Sequence, residues 1–186
     1  DRARFVGNIR TEGERMQAIV ERILNLAVIE HRQSLQEVAP IALSALVEES
    51  LSTRAAELQR KKLTPENLID SRVRVSGERF LLQQALANLL DNAIAFSPVG
   101  GRLRVAHEQV EHEHRIRVRD AGPGLPDFAR ARLFERFFSL PRPDTGQKST
   151  GLGLALVREI AQLHRGRISV ANHAEGGVEA VLTLPA

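Results

Sequence analysis

Two neighbouring runs, Arg102–Val110 and Arg115–Asp120, constrain the fold most. In the first, Leu103 and Val105 alternate with Arg102 and Arg104; in the second, Ile116 and Val118 alternate with Arg115, Arg117 and Arg119. Successive side chains of a strand point to opposite faces, so each run predicts one buried and one wetted face. Such a sheet needs cover on one side only, and the turn at Glu111–Glu113 suits antiparallel pairing. Helices elsewhere in the chain can supply the cover. Glu78–Ala95 carries Leu81, Leu82, Ala85, Leu86, Leu89, Leu90 and Ala93, and Leu152–Leu163 reads as a second helix. Strand pairs mixed with separate helices predict an α+β fold, a two-layer sandwich with helices on one face of the sheet.

Further elements fill the layers. Val38 and Pro40 suggest a short edge strand, and Ser44 is placed to cap a helix running to about Lys61. Leu63–Leu68, Val73–Ser76, Gly166–Ala171 and Val178–Leu184 read as strands, with Gly176-Gly177 in the turn before the last. From Ala121 to Gly151 the chain is rich in Gly, Pro and polar residues, apart from a short apolar helix near Ala129–Phe134, which predicts a long functional loop.

Residues 3–31 have a helical period. Ile9, Met16 and Ile23 recur every seven residues, Ile19 and Leu26 fall between them, and Val20, Leu24 and Ala27 widen the stripe. An ordinary core helix and one member of a bundle whose partners lie outside this chain both fit the pattern. The opening Asp1-Arg2-Ala3-Arg4-Phe5, without Met and already helical, favours the second and a longer parent.

Composition excludes several functions. The 26 basic and 23 acidic residues leave a formal charge of +3, spread along the chain, which implies no nucleic-acid partner. Seven Phe with no Trp or Tyr leave few platforms for stacking bases. The absence of Cys removes disulfides, thiolate metal sites and Cys nucleophiles. No apolar run approaches the ~20 residues a membrane-spanning helix needs, so no membrane contact is expected of this chain.

Four short constellations carry the chemistry. Asn88 and Asn92 lie four apart on one helix face, where buried carboxamides need a polar ligand, a metal or a bond; capping or surface Asn would also explain them. Asp120-Ala121-Gly122-Pro123-Gly124 follows a strand. Its carboxylate accepts hydrogen bonds only, which suits an exocyclic amine, though Asp-x-Gly-x-Gly is also a common turn. Phe134-Glu135-Arg136-Phe137-Phe138 precedes the Pro-rich stretch Pro141–Asp144 and is placed either to anchor a mobile loop or to form a satellite core. Thr150-Gly151-Leu152-Gly153-Leu154 opens a helix, where backbone amides bind phosphate or merely begin the helix. It is neither a dinucleotide fingerprint, since Leu156 takes the third Gly position, nor a P-loop, since Gln147 precedes Lys148-Ser149.

Asn-box, Asp-x-Gly-x-Gly box, Phe-box and Gly-rich box in this order resemble the Bergerat-type ATP site of the GHKL superfamily. The long leading helix and the ending Gly176-Gly177-Val178 to Leu184-Pro185 resemble sensor histidine kinases within it. The run Phe134–Arg142, with Gly146–Ala155, is similar to CreC-type sensor kinases. The resemblance implies ATP and Mg²⁺ as ligands, with Asn92 holding the metal and Asn88 near the phosphates. It implies that Asp120 reads the adenine amine in a pocket shaped by Gly122, Gly124 and Phe96. Thr150, Gly151, Leu152, Gly153 and Leu154 would border the phosphates, Arg136 would be a cation near the transferred group, and residues 139–149 would form a lid containing Lys148. It further implies residues 1–32 as the second helix of a dimerisation hairpin and 33–186 as the ATP-binding catalytic domain. The parent would be a homodimeric bacterial inner-membrane sensor, with this portion cytoplasmic, passing phosphate to a response regulator (CreB-like if the finer resemblance holds). A nucleotide-binding module without transfer, or a serine kinase or ATPase of another branch, is the alternative.

This sequence departs from the family pattern in places. Ala95 stands where a Lys or Arg often meets phosphate, Phe96 replaces a frequent Tyr, and Ser149 replaces the first Gly of the Gly-rich box. None of His31, His107, His112, His114, His164 and His173 has the acidic neighbour and nearby Pro of the family's phosphoacceptor. The acceptor is therefore expected outside this chain, and His164 is expected to be structural.

Overall fold

The computed structural model describes residues 2–186, with side chains described from Gly13 onward except at positions 14, 15 and 18. Helix α1 (Arg2–Glu30) leads into β1 (Val38–Ala42), α2 (Leu43–Ser52), α3 (Ala55–Arg60), β2 (Thr64–Asn67), β3 (Arg74–Glu78) and α4 (Arg79–Phe96). There follow β4 (Arg102–Val110), β5 (Glu113–Arg119), α5 (Asp127–Arg130), α6 (Gly153–Leu163), β6 (Arg167–Asn172) and β7 (Val178–Pro185). The main sheet has the order β2-β4-β5-β7-β6, with β2 parallel to β4 and the other pairs antiparallel; β1 and β3 form a separate antiparallel pair.

The alternation along β4 and β5 organises the fold. Val105 pairs with Val118, Val118 with Ala180, and Ala180 with Val170, so one apolar row crosses four strands. Arg115, Arg117 and Arg119 take the opposite face, where Arg117 joins Glu108 and Glu179. Helices α4 and α6 cover the apolar face and pack on each other. Leu81, Leu82, Leu86, Leu89, Leu90 and Ile94 of α4 are each no more than 2% exposed, and burying each stabilises the fold by roughly 1.5–3 kcal/mol.

Several boundaries differ from expectation. Ser44 does not cap α2: Ala42 holds that position, because β1 runs straight into the helix and Val73 accepts the Leu43 amide at 3.2 Å. The helix expected to reach Lys61 breaks at Thr53-Arg54. There Ser52, Thr53 and Arg54 side chains bond the carbonyls of Glu49 and Ser50 and compete with the helical ladder. Glu113 lies in β5 rather than in the turn, and the short helix after Pro126 covers Asp127–Arg130.

Helix α1 has one buried and one exposed apolar face. Leu26 and Ile29 are buried in the common core beside α6, whereas Met16, Val20, Leu24 and Val28 form an exposed stripe. The side chain of Ile9 lies outside the described residues.

Candidate functional site

The sheet's apolar row, the face of α4 and the segment from Gly122 to Gly153 enclose a cleft of about 880 Å³ including its open mouth. Val118, Val170, Val178 and Ala180 contribute from the sheet, Leu89, Asn92 and Phe96 from α4, and Phe138, Ser139, Leu140 and Ser149 from the loop.

Asp120 sits at the end of β5 with 7% of its surface exposed. Its Oδ1 accepts the amides of Gly122 at 2.8 Å and Val178 at 3.1 Å, while Oδ2 has no hydrogen-bond donor among the described residues. Burial raises its pKa above the ordinary carboxylate range, and the two amides pull it back in part. A carboxylate fixed through one oxygen and open at the other is a directed acceptor at the cleft wall. Gly177 makes this possible: a Cβ there would come within 2.0 Å of the Asp120 carbonyl oxygen, so only Gly lets β7 begin against this residue. Asn172 steadies the opposite turn, accepting the Leu125 amide at 2.6 Å and donating to its carbonyl at 3.0 Å.

The two carboxamides of α4 diverge. Asn92 lines the cleft and its side chain makes no hydrogen bond among the described residues. Asn88 donates to the Gln84 carbonyl at 2.8 Å, and its Oδ1 lies 2.9 Å from where a Cβ on Gly153 would stand, so it flanks the start of α6. Gly151, at φ +68, takes a conformation that side chains rarely adopt, and a Cβ would lie 2.4 Å from the Phe137 carbonyl carbon. Gly122, Gly124, Gly151, Gly153 and Leu154 border the cleft; Leu152 turns into the core at 2% exposure.

Two expected site residues meet α1 instead of the cleft. Arg136 is ion-paired with Glu30, and the Thr150 hydroxyl accepts from Arg22 at 3.2 Å. Lys148 is exposed in a hairpin whose strands touch at Pro141 and Lys148. Ser149 closes that hairpin's base: its amide and hydroxyl lie 3.0 and 2.8 Å from the Ser139 hydroxyl. Phe138 lines the cleft beneath the Arg132 guanidinium, 4.5 Å from the ring centroid, whereas Phe137 is exposed.

Several contributors escaped the sequence. Lys61, read only as a helix end, is buried and bonds the carbonyls that close α4. Glu78, at the start of α4, is held by both Arg32 terminal nitrogens at 3.0 and 2.8 Å, which keeps its carboxyl below the usual range. His164 is structural, as expected. Its Nε2 accepts the Glu78 amide at 3.1 Å and its Nδ1 lies 2.8 Å from the Ile160 carbonyl oxygen, which fixes a neutral ring whose pKa burial lowers.

Residues 77–186 match the family described as histidine kinase-, DNA gyrase B- and HSP90-like ATPases. Over 183 residues, 98% of this chain, the sequence is 46% identical to the sensor protein CreC of Escherichia coli K12, covering 38% of that protein. The chain thus spans about two fifths of that relative's length. The Acinetobacter baumannii histidine kinase AdeS superposes with a TM-score of 0.79 at 27% identity, over 96% of this chain and 82% of that one. The histidine kinase ThkA, solved in complex with response regulator protein TrrA, superposes with a TM-score of 0.77 at 26% identity, over 97% of this chain and 50% of that one. The chain belongs to the histidine kinase-, DNA gyrase B- and HSP90-like ATPase family, as a catalytic domain of the histidine kinase type homologous to sensor kinases.

Proposed function

We propose that this chain binds ATP in the cleft and transfers its γ-phosphoryl group to a His outside the chain, as the catalytic part of a sensor histidine kinase. The observation that carries the reading is Asp120, held through Oδ1 and open at Oδ2 over an apolar floor. Such an acceptor fits the exocyclic amine of adenine, and Val118, Val170, Val178 and Ala180 fit the base's apolar faces. Gly122 and Gly124 border the base. Gly151, Gly153 and Leu154 place backbone near the phosphates, with the amides that open α6 directed at anions.

Asn92 suits Mg²⁺, because its side-chain oxygen is a hard ligand with no competing partner among the described residues. When bound, the ion supplies charge neutralisation between the phosphates. The protein's own task is positioning: Asp120 sets the base, Asn88 orders the start of α6, and the Gly-rich turn admits the triphosphate. Arg136 can approach the reacting group only by releasing Glu30. Residues 1–32 are proposed as the second helix of a dimerisation hairpin and 33–186 as the ATP-binding domain with its lid at 139–149. The parent is proposed to be a membrane-anchored homodimer that passes phosphate to the Asp of a response regulator, CreB-like by similarity to CreC.

Calorimetric titration with ATP, with and without Mg²⁺, tests the first half of the proposal. Incubation with labelled ATP and an added acceptor hairpin tests the second. Binding without transfer to any such hairpin would reduce the chain to a nucleotide-binding module.

A further inference from the structure

Lysine is among the residues least often buried, yet Lys61 is only 3% exposed. Its ammonium reaches the carbonyl oxygens of Ile94 at 2.9 Å, Ala95 at 2.8 Å and Ser97 at 3.2 Å. The last carbonyls of a helix lack intrahelical partners and carry its negative dipole end. Lys61 therefore caps α4 from outside, and a positive charge stands on Ala95 through the main chain, although residue 95 has no charged side chain of its own. Three carbonyls match the three protons of an ammonium, so Lys61 is immobilised.

Its fourth contact is Asp144, whose Oδ2 lies 3.1 Å from Nζ. Asp144 stands in the turn of the lid hairpin, where Gln147 accepts the Arg142 amide at 3.0 Å and Arg142 accepts the Gly146 amide at 2.8 Å. The hairpin is thus fastened twice: at its base by Ser139 and Ser149, which border the cleft, and at its turn by Lys61. Lys61 is fixed by the end of α4 while Asp144 belongs to a surface loop, so this contact opens by movement of the lid.

We infer that Lys61 is a positioning residue that docks the lid. Its buried ammonium fastens Asp144 against the closing turn of the helix that carries Asn92 and Phe96, and the contact slows nucleotide uptake and release. The inference rests on the nucleotide reading of the cleft. Asp144 is the residue to alter, because removing Lys61 would leave three carbonyls unpaired and threaten the fold.

The test compares Asp144→Asn and Asp144→Glu with the unaltered protein in two measurements. In amide hydrogen exchange without nucleotide, Asp144→Asn should speed exchange of residues 139–149 about tenfold, with α4 unchanged, and Asp144→Glu should stay near the original rate. In stopped-flow mixing with a fluorescent ATP analogue, Asp144→Asn should raise association and dissociation rates together. Unchanged lid exchange and unchanged rates, with the analogue still bound, would overturn the docking role while leaving the nucleotide site intact. Failure of the unaltered protein to bind the analogue would refute the nucleotide site and the gating with it; lid exchange would still report whether Asp144 fastens the hairpin.

Discussion

Replacing Asp120 separates its two oxygens. Oδ1 is structural, accepting the Gly122 and Val178 amides at 2.8 and 3.1 Å, whereas Oδ2 of this cleft-lining side chain has no donor among the described residues. Asp120→Asn can keep an acceptor at Oδ1 while presenting an NH₂ where the adenine amine is proposed to bind, setting donor against donor. Loss of a charge-assisted hydrogen bond costs roughly 1.5–3 kcal/mol, or about 10- to 150-fold in ATP affinity. Asp120→Ala also leaves two amides without their acceptor, at about 1–3 kcal/mol each, so it should lower the melting temperature as well as the affinity. The pH dependence has a definite sign. Burial raises the folded pKa of Asp120, so between the unfolded value and that raised value the native state holds the proton more tightly. Stability from this group then falls as pH rises through the window, and the Asn variant lacks that dependence. ATP affinity runs the other way: it weakens as pH falls through the raised pKa, because only the ionised carboxylate presents acceptors alone. Calorimetry across pH, paired with thermal unfolding, measures both. ATP affinity unchanged in Asp120→Asn, with the fold intact, would refute the reasoning.

Other outcomes follow from particular residues. Gly151→Ala should cost about 1–3 kcal/mol in denaturant unfolding, since its φ of +68 and the 2.4 Å approach to Phe137 leave no room for a methyl group; a stability within error of the original would contradict the turn geometry. This chain incubated alone with γ-labelled ATP should acquire no acid-labile phosphate, because His114 and His164 are buried and no His has the acceptor's sequence context. Stoichiometric label on any His would show otherwise. Leu24→Lys with Val28→Lys should abolish concentration-dependent association in sedimentation, since these residues form the exposed stripe of α1; persistent oligomers would move the contact to the ATP-binding domain.

Much of the fold was legible because its signals are local and repeated. Arg102–Val110 and Arg115–Asp120 alternate over enough residues to fix both faces, and α4 carries an uninterrupted apolar face. The ends of α2 were not legible, because side chains at 52–54 bond backward to carbonyls and stop a helix that pattern alone continues. The cleft's composition was readable from four motifs in order, but the partners of its members were not. Arg136 meets Glu30 and Thr150 meets Arg22 across more than a hundred residues of chain. Gly177 read as a turn glycine, and only the packing of β7 on Asp120 gives it a role in the site. Lys61 is the hardest case: a lysine closing a short polar helix looks solvent-exposed, and nothing nearby in sequence announces the carbonyls it meets.

These hidden partners share a logic that centres on α4. Its first turn follows Glu78, an acidic residue at the positive end of the helix dipole, and Arg32 from the segment after α1 holds that carboxylate in place. Its last turn receives the Lys61 ammonium at the negative end. Opposite charges at the two ends each favour the helix and hold its ends against different parts of the chain, α1's exit in one case and the lid in the other. Between them lie Asn88, Asn92 and Phe96. A site that acts by positioning needs these side chains on a platform that does not move when the lid opens, and a helix clamped at both ends supplies it. The moving parts, Arg136 on Glu30 and Asp144 on Lys61, are ion pairs at the platform's margins, where exchanging partners leaves the buried apolar face of α4 undisturbed.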